Sequence, residues 1–173
     1  MIKLLTPLLA ISMSVSTYAT EQEASKLLMP IGETQYISAG LGDSKLKFLS
    51  RIDTGANVTS IHAIDVHIDD AVEDMRANMG KMITFTTVNE RGDEIRISSP
   101  IVKVSTIRNA QGSEQRYSVR IDVRNGDDVR TVDATLRDRS NMSTKLLIGR
   151  NWLRDHYTVD VSFDAHATTA SEI

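Results

Sequence analysis

From Tyr117 to Val123 every second residue is apolar: Tyr117, Val119, Ile121 and Val123 alternate with Ser118, Arg120 and Asp122. A period of two marks a strand with one buried face and one wet face. Asn125-Gly126 follows, a hairpin signal because both residues tolerate positive φ. Val132, Ala134 and Leu136 then alternate with polar residues on the return. A second hairpin reads from MITFTTV (82–88) and EIRISS (94–99) around NERGD, with Gly92 in the turn. The RGD inside it is expected to be turn and nothing more. IVKVSTI (101–107) adds a strand that leads into the polar turn RNAQGS around Gly112.

Elsewhere the pattern changes. DDAVEDMRANMG (69–80) opens on aspartates and stops at Gly80, which predicts an internal helix. GRNWLRDH predicts a second, short helix starting at Gly149, with Trp152 reading as core or interface, and YTVDVSF (157–163) a last strand. KLKFLSRI (45–52) and IHAIDV (61–66) each read as one strand. Many short strands with turns about every ten residues predict an all-β fold, a closed or nearly closed β-barrel with one or two short helices.

The ends change the picture of where the chain works. Residues 1–19 carry Lys3, an apolar stretch from Leu4 to Val15, and small residues at Thr17 and Ala19, the pattern of a signal peptide cleaved after Ala19. The stretch is short for a membrane span, which needs about 20 apolar residues. Residues 20–165 are then expected to form one domain and 166–173 a loose tail, with the protein periplasmic or secreted. The absence of cysteine agrees with an oxidising compartment. The net charge of the 173 residues is −3, and the basic residues scatter between strands without a visible patch. Nucleic acid is therefore not the expected partner.

The chemistry concentrates where KLKFLSRI stops, at Asp53-Thr54-Gly55. An aspartate at a strand end can simply close a turn through its own side chain. Held by a hydroxyl and a glycine in a tight loop, it can equally aim a carboxylate at a substrate. Near the other end stands KLLIGRNWL (145–153), an aliphatic run and then Gly149-Arg150-Asn151. The two motifs together resemble the retropepsin-like aspartic peptidases. RIDTGANVTSIHAIDV, SSPIVKVSTIRNAQGSEQRYSVRIDV and RDRSNMSTKLLIGRNWLRDHYTVD narrow the resemblance to the bacterial retropepsin-like family often labelled "ATP-dependent zinc protease". It covers most of residues 30–161, with mild departures at Val58, Thr59 and Ile61.

The resemblance implies the acid-protease fold and aspartic endopeptidase chemistry. Two neighbouring carboxylates share one proton. The ionised one activates water, and the protonated one hydrogen-bonds the scissile carbonyl. Asp53 would be one such carboxylate, with Thr54 and Gly55 shaping its loop, the glycine by permitting the backbone turn. The chain has one Asp-Thr-Gly, so the second carboxylate would come from a homodimer partner across a two-fold axis. Ala56, Asn57, Asn109, Gly112, Ile148 and Gly149 would line the substrate, with the 109–113 turn as a flap and residues 68–98 as an addition to the viral pattern. Arg150 and Asn151 would give structural support, Arg150 through Asn57, Asp138 or Asp155.

The cofactors in the label have no counterpart in the residues. No Gly-rich phosphate loop with lysine and no His-Glu-x-x-His occurs. His62 and His67, read on one strand, would face opposite sides. No metal and no cofactor is expected. The expected partner is a peptide or protein substrate. The alternative reading is a monomeric, non-catalytic module that binds a peptide or an envelope protein in the same cleft.

Overall fold

The computed structural model describes residues 27–109 and 112–163. Residues 1–19, expected to be a signal peptide, and 166–173, expected to be a tail, lie outside the described residues, as does the centre of the 109–113 turn. Twelve strands and one α-helix make up the described chain: β1 (Met29–Ile31), β2 (Thr34–Leu41), β3 (Ser44–Ile52), β4 (Thr59–His62), β5 (Ile64–Ile68), β6 (Met82–Val88), β7 (Glu94–Pro100), β8 (Lys103–Asn109), β9 (Gly112–Asn125), β10 (Asp128–Arg137), β11 (Leu146–Ile148), α1 (Arg150–Leu153) and β12 (Tyr157–Val159). The fold is all-β, as the alternation predicts.

Six strands close a ring. In order they are β3, β2, β9, β10, β4 and β11, with β11 returning to β3; β8 extends from β9. The alternating apolar positions point inward: Ile37, Phe48, Ile61, Val119, Ile121, Val123, Ala134, Leu146 and Ile148 are all buried. One connection matters most for the site. β11 lies between β3 and β4, parallel to the first and antiparallel to the second. The 53–58 loop that joins β3 to β4 must therefore cross the end of β11.

Outside the ring, β5, β6 and β7 form a three-stranded sheet whose Ile83, Phe85 and Ile97 are buried. Glu90, in the β6–β7 turn, pins this sheet to the ring. Its carboxylate accepts the Leu49 N–H at 3.0 Å and the Lys145 N–H at 2.7 Å. The RGD triplet is the turn itself, folded around the Asn89 side chain, which accepts from the Arg91 and Asp93 N–H groups. A smaller sheet pairs β1 with β12 in parallel.

Four expectations need correction. The helix over 69–80 is reduced to one 3₁₀ turn, Met75–Asn78. Its side chains compete for the backbone: Asp74 accepts from the Arg76 N–H, and the buried Asn78 exchanges hydrogen bonds with both backbone groups of Val72. IHAIDV is two strands in different sheets, broken after His62. The last strand ends at Val159 instead of Phe163. In the long hairpin Asn125 pairs with Asp128, so Gly126-Asp127 forms the turn and Gly126 alone takes positive φ, 58°. The α1 helix does start after Gly149, and its Trp152 is core. The ring stacks on Tyr157 with centroids 4.5 Å apart, under the Arg130 guanidinium.

Candidate active site

The crossing of the 53–58 loop over β11 is fastened by backbone and side-chain hydrogen bonds together. Asp53 N–H donates to the Ile148 carbonyl at 2.9 Å, and Arg150 N–H donates to the Ala56 carbonyl at 2.8 Å. Asn151 N–H reaches the Asn57 carbonyl at 3.2 Å. Gly149 lies so close that a Cβ there would stand 2.6 Å from the Val58 carbonyl carbon and 2.9 Å from the Thr59 nitrogen. Only glycine fits this contact. Side chains complete it: Asn151 Oδ1 accepts from both the Thr59 N–H and its hydroxyl at 2.9 Å, and Thr59 Oγ1 accepts from the Gly149 N–H. Arg150 donates to the Thr54 carbonyl at 2.8 Å and to Asn57 Oδ1. Asn57 is thus the partner of Arg150, rather than Asp138 or Asp155.

Within this frame Asp53 is held by its own loop. One carboxylate oxygen, Oδ1, accepts from the Gly55 N–H at 2.8 Å and the Ala56 N–H at 3.2 Å. Oδ2 takes no partner among the described residues, and the side chain is half-buried. Gly55 lies in the 54–55 turn, outside the left-handed region. A Cβ at Gly55 would sit 3.1 Å from Asp53 Oδ1, so the glycine leaves room for the carboxylate. Thr54 is exposed. Asp53 and Thr54 share a shallow hollow with Val159 and Val161, beside the β1–β12 sheet.

From the other flank of the loop runs a groove of about 650 Å³, bounded by Gly55–Val58 and by Thr106, Ile107 and Arg108 of β8. Ala56 and Asn57, read from the sequence as substrate positions, line this groove. Asn109 and Gly112 lie further out, paired at the end of the β8–β9 hairpin. Ile148 and Gly149 belong to the crossing instead. Four arginines the sequence left scattered, Arg108, Arg116, Arg137 and Arg139, line this one groove with no acid among its described lining residues.

A model of the RimB-like family, described as retropepsin-like aspartic endopeptidase RimB, matches residues 34–169. The chain belongs to this family. Curated relatives of the RimB-like chain include probable α-L-glutamate ligases from Parasynechococcus marenigrum, 28% identical over 75% of this chain, and from Desulfotalea psychrophila, 26% identical over 64%. The matches occupy 27% and 24% of those proteins, so the chain spans about a quarter of the length of the curated relatives it matches. A solved structure from Legionella pneumophila, of a protein of unknown function, superposes with a TM-score of 0.61 at 24% identity, covering 78% of this chain and 95% of that one. That likeness concerns the fold alone.

Two histidines of this RimB-like chain, His62 and His67, differ in setting. His62 is buried, and its Nδ1 accepts the Arg139 N–H at 2.9 Å. Burial lowers its pKa below the ordinary 6.5, against an opposing pull from Asp138. His67 is exposed and pairs with Asp69. Among the described residues no three histidine, aspartate or glutamate side chains converge to hold a metal. Thr59, the hub of the crossing, and the four groove arginines were not singled out by the sequence. Arg116 lies on β9 and Arg137 ends β10, its antiparallel partner, while Arg139 lies in the loop just after β10.

Proposed function

We propose that the chain is an exported aspartic endopeptidase that works as a homodimer, each subunit supplying one Asp53. The carrying observation is the Asp53 loop. Two backbone N–H groups hold one carboxylate oxygen and leave the other without a partner, where an attacking water has to be polarised. Family membership supports the fold and the general chemistry. The dimer is supported by what surrounds the loop: an exposed Thr54 and a β1–β12 sheet bordered by exposed Leu27, Met29 and Val161. A symmetric copy seated there would cover that apolar surface and bring a second Asp53 toward the first. Export rests on the apolar run of residues 4–15.

Glutamate-bearing peptides suit this reading as substrates. The groove beside Asp53 carries four arginines, and two of the relatives are named probable α-L-glutamate ligases. The same charge favours the second reading, a monomeric acidic-peptide binder, because binding by arginine needs no chemistry at Asp53.

The test combines mutation with dilution. Asp53→Asn should lower kcat/KM at least about a hundredfold, the lower end of general acid–base contributions, while the thermal midpoint stays within a few degrees. Wild-type specific activity should fall on dilution below the dimer dissociation constant. Full activity in a folded Asp53→Asn protein sinks the aspartic mechanism. Activity that persists in a protein shown to be monomeric sinks the shared site.

A further inference from the structure

The groove does not end at its arginines. Arg116 of β9 and Arg137 of β10 also border a second hollow of about 290 Å³, which no residue of the 53–58 loop lines. Its apolar wall is made of Ala63, Val66, Met75 and Leu136. Ala63 and Leu136 are buried, Met75 is half-buried, and Val66 is 48% exposed. Val66 belongs to β5 and Met75 to the 3₁₀ turn that follows it, so the outer sheet and its connection help build the hollow.

The backbone is bent to present this wall. β5 slips register against β6 between Ile64 and His67, and Asp65 there takes a φ of 50°, a left-handed value uncommon outside glycine. A bulge of this kind re-aims the neighbouring side chain. The neighbour is Val66, the most exposed of the four wall residues. Met75 is placed through Asn78 of the same turn, whose amide donates to the Tyr117 hydroxyl of β9 at 2.9 Å. Tyr117 itself lines the hollow.

Several polar groups at the rim are already engaged. Glu114 Oε2 lies 2.6 Å from Arg116 Nη2, Asp138 accepts the Ser140 N–H at 2.8 Å, and the Tyr117 hydroxyl holds Asn78. Val66 and Met75 are what the fold leaves uncovered there. A volume of about 290 Å³ falls at the bottom of the range that holds a free small molecule, roughly 300–1,000 Å³. It suits one side chain of a longer ligand seated in the groove of about 650 Å³ beside it. Methionine, flexible and polarisable, adapts to side chains of different shape.

We propose that this hollow is a subsite of the peptide groove, separate from the Asp53 loop, that takes one large apolar side chain such as leucine or phenylalanine. Charge contacts along four arginines leave a peptide's register free, and one apolar anchor in the hollow fixes it. The assignment rests on the peptide-groove reading above, but it concerns binding and requires no turnover.

The measurement uses full-chain Asp53→Asn protein and labelled decapeptides of glutamate and serine, with one leucine walked through every position. Leucine at one position, or at two adjacent ones, should tighten binding about tenfold over the leucine-free peptide, as partial burial of its side chain predicts. Val66→Asn and Met75→Gln, which leave the charge unaltered, should bring that ratio back toward one. A diazirine-bearing leucine at the favoured position should crosslink to residues 63–75 or to Leu136, a readout that needs no variant of the hollow to fold. Binding of the leucine-free peptide with no favoured leucine position overturns the subsite and leaves the groove. A ratio that survives in folded Val66→Asn and Met75→Gln, or crosslinks confined to other residues, overturns the assignment to this hollow. Absence of binding by every peptide removes the groove reading and the subsite together. With Asp53 restored, a leucine preference without cleavage removes the peptidase and keeps the subsite.

Discussion

The two flanks of the Asp53 loop are built by opposite rules. On the crossing side, Thr59, Gly149, Arg150 and Asn151 hand hydrogen bonds to one another and to the loop carbonyls. On the groove side, Ser60 and Arg116 keep buried atoms without partners among the described residues, and the buried Arg139 has Asp53 as an attractive charge but no ion pair within 4 Å among those residues. Ser60 follows Thr59 in the same strand, so the two regimes change within one residue. A saturated network makes a rigid frame, because each broken bond leaves a desolvated group behind. An unsaturated cluster is costly in the free protein and becomes favourable only when a ligand supplies what is missing. The contrast separates residues that hold the loop from residues that wait for something.

Substituting at the frame should have the largest effect on stability. Gly149→Ala forces a Cβ against the Val58 and Thr59 backbone, and about 2–3 kcal/mol should be lost in denaturant unfolding, at the upper end of ordinary overpacking. An unchanged midpoint would mean that the crossing is looser than its contacts imply. In the groove the sign should reverse. Arg139→Met replaces a buried charge by an apolar chain of similar reach, so stability should range from unchanged to about 2 kcal/mol higher. A loss matching that of Gly149→Ala would assign Arg139 to the frame and dissolve the comparison.

The smallest effect lies where the two regions meet, at His62, whose ring accepts the backbone N–H of Arg139. Its folded pKa is depressed by burial. At pH above 6.5 the ring is neutral in both states and costs nothing. As pH falls below 6.5 the unfolded chain takes up a proton that the folded chain resists, and stability declines toward the folded pKa. The slope attributable to His62 should be at most about 1.4 kcal/mol per pH unit, and His62→Gln should flatten it in acid titrations of the unfolding midpoint. An unaltered slope in that variant would assign the acid sensitivity to other groups.

Strand existence was legible because period-two alternation survives in Tyr117–Val123 and in 82–99, and the two motifs marked the loop and the crossing. The 69–80 segment misled because its opening aspartates and Gly80 look like helix punctuation, while Asp74 and Asn78 inside it bind backbone in a compact loop. Gly55 was expected to serve a turn, and its contact with Asp53 Oδ1 is a matter of space that no local pattern records. The arginine groove was hidden for a different reason. Arg108, Arg116, Arg137 and Arg139 come from three strands and the loop after the last of them, and they meet only when the hairpins pair. Composition counts charges without saying which face they share.

The insertion of β11 between β3 and β4 also orders events in time. Arg150 and the Thr54 carbonyl it holds are 96 residues apart in sequence. Contacts of such separation must wait for a large loop to close, and they form late when a chain is made from its N-terminus. While the chain is still emerging, the Asp53 loop has none of its fasteners, since Ile148, Gly149, Arg150 and Asn151 are not yet available. An aspartate loop arranged in this way stays unfastened until β11 and α1 have been made.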